Sequence, residues 1–348
     1  MYWEEGKLLL NISLCMIVRN EEDNLSKCLD SVKNLVNEII IVDTGSVDMT
    51  KNIALQYTPK VYDYTWDNDF SKARNFSIEY AENDMILILD ADEVVKEYDI
   101  NELEDFICAY SQEIGRLIII NEFNTFNRLM EEKVRLGRVF SKKHYQYSGM
   151  IHEQLISISG TENIYHDISI TLRHNGYNGD LKARKLKAER NISLLLSQLK
   201  ETPENPYLYY QLGKSYYMKE EFHDTVRYLE KALEFNLNTK LDYVIDLVET
   251  YGYALINTEQ YEVALHMLNI YDEFNHSADF LFLIALILMN NEYYEEAIQE
   301  FIKATKKNSS KVIGVNGELA YYNIGVIYEC LGDKLKAQEY YNKCSNIK

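Results

Sequence analysis

Over roughly the first half of the chain, short apolar runs alternate with stretches in which apolar residues recur every three or four positions. Ile12–Val18, Glu38–Val42, Lys60–Tyr62 and Met85–Leu89 read as strands, and their near-continuous aliphatic character is that of strands buried on both faces. Between them, residues 21–34 place Leu25, Cys28, Leu29 and Val32 on one helical face, with Asn20 as the expected N-cap. Residues 48–57 and 71–82 read as two further helices. Strand–helix–strand at this spacing predicts an α/β domain around a mostly parallel sheet with right-handed crossovers. Leu117–Asn121 and Val134–Phe140 are expected to add strands, antiparallel ones among them.

From about residue 180 the strand pattern stops and a helical repeat begins. A small residue (Gly213, Gly252, Ala285, Gly325) is followed twelve positions later by Thr225, Ala264, Ala297 or Ala337. An aromatic stands nine positions after the small residue in three units (Phe222, Tyr261, Tyr294), and Lys334 takes that place in the fourth. The units are spaced by 39, 33 and 40 residues, close to the period of about 34 of tetratricopeptide helix pairs. Small residues are needed where paired helices cross closely. The expected division is residues 1–180 and 181–348. Such an array presents a concave face to peptides or serves as a dimerisation module. The basic run at residues 182–190 reads as a solvated helix face.

The formal net charge of −19 argues against nucleic acid or an anionic membrane as the main partner. The longest apolar stretch, Phe280–Met289, is too short to span a bilayer. The opening MYWEEGKLLL lacks the basic and long apolar regions of a secretory signal, so a cytoplasmic location is expected. Five scattered cysteines without a CxxC pair read as reduced packing residues.

The candidate chemistry begins at Asp90 and Asp92, at the end of the Met85–Leu89 strand. The carboxyl end of a buried strand is where open α/β sheets bind ligands. Two carboxylates one residue apart face opposite sides of a strand, so only a turn starting at Ala91 lets both address one site, such as a divalent ion carrying a diphosphate. The plainer alternative is a polar strand end followed by a helix cap.

Cys15–Glu21 (CMIVRNE), Ile41–Asp48 (IVDTGSVD) and Leu89–Asp92 (LDAD), in this order and spacing, resemble the nucleotide-sugar half of a family 2 glycosyltransferase with the GT-A fold. Trp66–Asn75 (WDNDFSKARN), Arg138–Phe140, Ile151–Glu153 and His174–Tyr177 extend the likeness. With the repeats, the layout is similar to the tetratricopeptide-bearing branch that includes sublancin-type bacteriocin S-glycosyltransferases and flagellin glycosyltransferases. The resemblance implies a UDP-sugar donor, Asp43 at the uracil and Glu21 near the ribose, with Val18 and Asn20 lining that strand end. Arg74 and Asn75, in the first turns of a helix, suit an anionic or hydroxyl-rich ligand. Asp92, supported by Asp90 and Ala91, would hold Mg²⁺ or Mn²⁺ on the diphosphate, with Arg138 adding positive charge. His152 or His174 would complete the metal shell. An inverting transfer needs one carboxylate base, and Glu153, beside His152, is the candidate.

The duller alternatives are a turn-forming Asp43, an ion pair of Arg74 with Glu79 or another surface acid, Trp66 and Phe70 in the core, and a loop histidine at 174. The expected reaction is inverting, metal-dependent transfer of a hexose of the glucose or N-acetylglucosamine type to a Ser, Thr or Cys side chain of a polypeptide, flagellin- or bacteriocin-like. A surface glycan or lipid-linked acceptor, or a repeat scaffold without catalysis, are the competing readings. A homodimer through the repeats is also open.

Overall fold

The structure is a computed structural model that describes residues 2–4, 7–125, 128–174 and 181–345. The chain divides into two units, residues 1–178 and 179–348.

In the first unit a short antiparallel hairpin, β1 (Tyr2–Glu4) and β2 (Lys7–Leu9), precedes the strand β3 (Ile12–Val18). There follow α1 (Leu25–Val32), β4 (Glu38–Asp43), α2 (Thr50–Tyr57), β5 (Val61–Asp63), α3 (Phe70–Glu79) and β6 (Met85–Ile88). Then come β7 (Glu93–Tyr98), α4 (Ile100–Ala109), the hairpin β8 (Ile114–Thr125) and β9 (Arg128–Ser141), a second small hairpin β10 (Tyr145–Ser148) and β11 (Gln154–Ser157), and β12 (Tyr165–His174).

One eight-stranded sheet has the order β5-β4-β3-β6-β9-β8-β12-β7. The β3, β4, β5 and β6 pairs are parallel, and β9 joins antiparallel to both β6 and β8. The period of two sorts the side chains of β3. Leu14 and Met16 pack with Leu25, Cys28, Leu29 and Val32 of α1 and with Phe106 of α4, whereas Cys15 faces Ile78, Phe140 and Tyr147 on the other side. No side chain caps α1 at Asn24. Its stability therefore comes from burying that face, at roughly 1.5–3 kcal/mol for each fully buried Leu or Val. The helix begins at Leu25 rather than 21, and Asn20 stands ahead of it at φ +56°.

Strand β3 has β4 on one side and β6 on the other, and α1 and α3 cover opposite faces. This is a switch point of the sheet, and its crevice lies beyond the carboxyl ends of β3, β4 and β6. The residues after Asp92 form β7, not the capped helix of the plainer reading. Glu93 N–H donates to the Asp90 carbonyl, closing a turn over Ala91 and Asp92.

The second unit is helical throughout its described residues. After α5 (Leu181–Glu201) come α6 (Pro206–Met218), α7 (Phe222–Leu233), α8 (Asp242–Asn257), α9 (Tyr261–Ala264) continuing as a 3₁₀ stretch (Leu265–Ile270) into α10 (Tyr271–Phe274), α11 (Ala278–Asn290), α12 (Tyr294–Thr305), α13 (Glu318–Cys330) and α14 (Lys334–Ser345). The four small-residue units are four helix pairs. A Cβ built on Gly213 would run into the Leu229 side chain, so α6 and α7 cross closely there. Thr225, Ala264 and Ala297 are fully buried at the matching positions. Between the paired helices the same place is taken by Glu220, Glu259, Glu292 and Gly332, all with φ between +56° and +79°. Only the last is a residue suited to it.

All five cysteines are free thiols. Cys15 and Cys28 are buried packing residues, whereas Cys108 and Cys330 are exposed. No described helix is long and apolar enough to cross a membrane.

Candidate active site

The loops after β3 and β4 are locked together by side-chain–backbone bonds. Asn20 N–H donates to Ser46 Oγ (2.9 Å), Val47 N–H to Asn20 Oδ1 (2.9 Å), Glu21 N–H to Thr50 Oγ1 (2.6 Å) and Met49 N–H to Glu22 Oε2 (2.9 Å). Thr44 donates to the Val18 carbonyl through both N–H and Oγ1. Val18 and Asn20 thus build the loop pair rather than offer these groups to a ligand. Asn20 caps the neighbouring loop, not α1. Glu21 is tied to Asn24 Nδ2 at 2.9 Å.

Asp43 closes β4 and is nearly fully buried. Its Oδ1 accepts from Gly45 N–H (2.8 Å) and Ser46 N–H (2.7 Å), which makes it a turn-former as well. Its Oδ2 is buried without a hydrogen-bond partner. A buried carboxylate oxygen left unpaired is costly unless a donor arrives to fill it.

Helix α3 organises the next layer. Asp69 caps it through Lys72 N–H at 3.0 Å. Asn75 uses both ends of its amide on the Tyr147 backbone, donating to the carbonyl and accepting from the N–H at 2.9 Å each. Asn75 is therefore a clamp on β10. Phe70 N–H donates to the Met150 carbonyl (2.8 Å), and Arg74 Nε donates to Glu153 Oε1. Three contacts from one helix thus hold residues 147–153. His152 lies in this segment at φ +50°.

Arg74 also donates from Nη2 to Asp90 Oδ1 at 2.8 Å. It makes no surface pair with Glu79; it joins Glu153 to the carboxylate pair. Arg138 on β9 reaches Asp90 Oδ2 (3.1 Å) and Glu93 Oε1 (2.8 Å). Both Asp90 oxygens are consequently held by guanidinium groups. Burial alone would raise the Asp90 pKa, but Arg74 and Arg138 outweigh it and hold the carboxyl well below the usual carboxylate range. Asp90 is an anchor for two arginines. Burial pushes the Glu93 carboxyl up, against the pull of Arg138. Glu93 Oε2 also accepts from Asp90 N–H (2.9 Å). Tyr147 is pushed up to about 12 by burial, against the two arginines, and its ring lies 5.6 Å from the Arg74 guanidinium carbon.

Asp92 points elsewhere. Its Oδ2 lies 3.0 Å from His174 Nε2, and His174 Nδ1 lies 2.9 Å from Asn121 Oδ1. Two donors on one small divalent ion, at about 2.1 Å and at right angles, stand about 3 Å apart. A carboxylate oxygen and an imidazole nitrogen are also a donor set suited to Mn²⁺. Asp92 and His174 are thus at hydrogen-bond distance, which is also the spacing of two ligands on one ion. Among the described residues no cluster of three or more His, Cys, Asp or Glu is arranged to hold a metal, so the rest of the shell would come from a ligand.

Of the residues picked from sequence, the structure joins Arg74, Asp90, Arg138 and Glu153 in one ionic network, and Asp92 with His174 in a second group. Trp66 and Phe70 are half-buried and meet edge-on at 4.7 Å. Glu93 and Asn121 were not foreseen. Glu93 directly follows the DAD run, which was a usable signal, whereas Asn121 became visible only through the register that sets it opposite His174.

The model of glycosyl transferase family 2 matches residues 13–167, and that of the tetratricopeptide repeat matches 278–309 and 319–348. The chain carries a glycosyl transferase family 2 domain followed by tetratricopeptide repeats. Its relatives include the following two. A TPR repeat-containing protein of Synechococcus elongatus is 32% identical, over 66% of this chain and 58% of that protein. The SPbeta prophage-derived glycosyltransferase SunS of Bacillus subtilis is 31% identical, over 64% of this chain and 53% of that protein. The chain thus spans just over half the length of these relatives. Among solved structures, that of MamA is 22% identical and covers 49% of this chain and 92% of that one, with a TM-score of 0.40.

Proposed function

We propose that the chain is an inverting, metal-dependent glycosyltransferase that moves a hexose of the glucose or N-acetylglucosamine type from a UDP-sugar to a Ser, Thr or Cys side chain of a polypeptide. The observation that carries this reading is the division of labour at the DAD turn. Asp90 is neutralised by Arg74 and Arg138, while Asp92 is left facing His174 at 3.0 Å. A glycosyl transferase family 2 domain and the glycosyltransferase SunS among its relatives support the same direction.

In this reading the unpaired Asp43 Oδ2 receives an N–H of the uracil. Asp92 and His174 hold Mn²⁺ or Mg²⁺, and the bound ion would neutralise charge on the departing diphosphate. In this reading Arg138, whose charge is shared with Asp90 and Glu93, is the second positive group of the site. Glu153 is the acceptor-side base, held in place by Arg74. The repeat unit presents the polypeptide, and the reaction takes place in the cytoplasm.

The test is a panel of UDP-sugars with Mn²⁺, with and without EDTA, following UDP release and then the mass of candidate acceptor polypeptides. The reading expects EDTA-sensitive release with one donor and a hexose added to a polypeptide. Absence of release with every donor, acceptors included, would refute it.

A further inference from the structure

In the repeat unit, the first helices of successive pairs carry polar residues at fixed offsets from their small residues. Tyr210 and Lys214 stand three before and one after Gly213, Asp246 and Glu249 six and three before Gly252, and Asp279 six before Ala285. These offsets differ by three or four, so they fall on one side of a helix. The side chains meet across helices: Tyr210 Oη donates to Asp246 Oδ2 (2.7 Å), and Lys214 Nζ stands 2.7 Å from the same oxygen. The face lined by first helices is the one that stacked helix pairs offer to an extended polypeptide. Here the chain's own connector between α12 and α13 is seated on it. Lys311 Nζ donates to Asp246 Oδ1 and lies 4.0 Å from Glu249 Oε2. The main-chain N–H groups of Lys311 and Val312 donate to Asp279 Oδ2 (2.7 Å) and Oδ1 (2.8 Å). An ammonium and two main-chain donors are what an extended peptide with a lysine would bring to the same carboxylates. Two residues on, Gly314 turns the chain at φ +97°, and Val315 is buried in the core.

We infer that residues 308–313 form a built-in strap, fastened by Lys311, which takes the place of a basic residue of a bound polypeptide and lets go when one binds. The inference rests on the reading of the repeat unit as the part that presents the polypeptide. It adds how access to that face is controlled and which side chain is recognised there. The geometry suits a strap that opens. Gly314 is the turn at which it swings, and Val315 holds the start of α13 in the core. Asp246 keeps Lys214 and Tyr210 when Lys311 leaves, so its charge is not stranded, the outcome that makes breaking a buried pair costly. A closed strap lowers the apparent affinity for a polypeptide in proportion to the fraction of chains that are open.

Two measurements on the full chain test it, with hexalysine as probe and hexaglutamate as control, at physiological salt. The first is hydrogen exchange across residues 308–313. Hexalysine should speed exchange there, because the strap gives up its bonds to Asp279, and hexaglutamate should leave it unchanged. A peptide that bound without displacing the strap would slow exchange or leave it as it was. The second is calorimetric titration. Lys311→Ala should bind hexalysine about tenfold or more tightly than wild type if the strap is closed more than about nine-tenths of the time. Lys311→Arg, which can refasten the strap, should return to the wild-type affinity. If Lys311→Ala does not fold, exchange in the wild-type chain decides alone. Hexalysine bound with exchange at 308–313 unchanged or slowed, or equal affinity in wild type and Lys311→Ala, overturns the strap and leaves the polypeptide reading standing. If no chain binds hexalysine, the reading of this face as a polypeptide site fails and the inference falls with it.

Discussion

Arg74 and Glu153 form a part-buried ion pair across 79 positions of sequence, and the same guanidinium also donates to Asp90. The carboxylate proposed as base is thereby tied rigidly to the turn proposed to hold the diphosphate. Such positioning is what a displacement with its base opposite the leaving group requires. Glu153→Gln keeps an oxygen for Arg74 Nε but removes the base. We expect it to spare UDP binding, measured calorimetrically, and to lower transfer by at least roughly a hundredfold. An unchanged transfer rate would move the base to another residue.

Asp43→Asn tests the nucleobase contact without dismantling the loop. The amide oxygen can still accept from Gly45 and Ser46 N–H, as Oδ1 does now. The amide NH₂ would stand where the unpaired Oδ2 is, and it would meet a uracil N–H as donor against donor. Losing a hydrogen bond to a charged group costs about 1.5–3 kcal/mol, so UDP should bind roughly 10- to 150-fold more weakly while Tm changes little. Equal UDP affinity in the variant would show that Asp43 is only a turn-former.

In the repeat unit Glu249 supplies a pH dependence. It lies on α8 among Asp246, Asp279, Lys214 and Lys311, with Lys311 Nζ 4.0 Å away. Burial raises its pKa from an ordinary 4.5 to about 8; Asp279 and Asp246 add to the rise, and the two lysines oppose it. Between these values the folded chain holds a proton that the unfolded chain releases, so stability falls as pH rises from about 4.5 to about 8. Thermal unfolding should give a lower Tm at pH 8.5 than at pH 6. Glu249→Gln, neutral at both, should flatten that part of the slope. A slope unaltered in Glu249→Gln would assign it to other groups.

The helix crossings of the repeats offer a stability test. Gly213→Ala would place a methyl group 2.3 Å from Leu229 Cδ2, and overpacking of this kind costs about 1–3 kcal/mol. Glu292→Gly should act in the opposite sense. At φ +64° a glycine avoids the roughly 1–2 kcal/mol penalty of a side chain in left-handed backbone. Denaturant midpoints should fall for the first variant and rise for the second.

Much of this was legible in the sequence. The buried strands announce themselves as aliphatic runs, because a strand covered on both faces has no reason to alternate. Ile12–Val18 was placed to the residue. Gly213 and its counterparts marked the helix pairs, because only small residues tolerate such an approach. The helix starts were less legible. The polar stretch from Asn20 to Asp23 offers capping groups at several positions, and its backbone was taken up by the loop after β4. The site divided along the same line. Motif order brought Asp43, Asp90, Asp92, Arg74 and Glu153 to one end of the sheet, yet whether a side chain meets a ligand or another residue depends on register. Asn75 turned to Tyr147, and Val18 to Thr44. Asn121 and His174 lie 53 positions apart, and no local pattern announces a pair of that kind.

The central claim is that Asp92 anchors a metal–diphosphate group in a working transferase. Its most direct test is UDP release from UDP-sugars, measured side by side for the wild-type chain and Asp92→Ala, with Mn²⁺ and with EDTA. The account predicts release in the wild type that requires Mn²⁺, disappears with EDTA and is absent from the variant. Release that survives EDTA, or that Asp92→Ala retains in full, would contradict it.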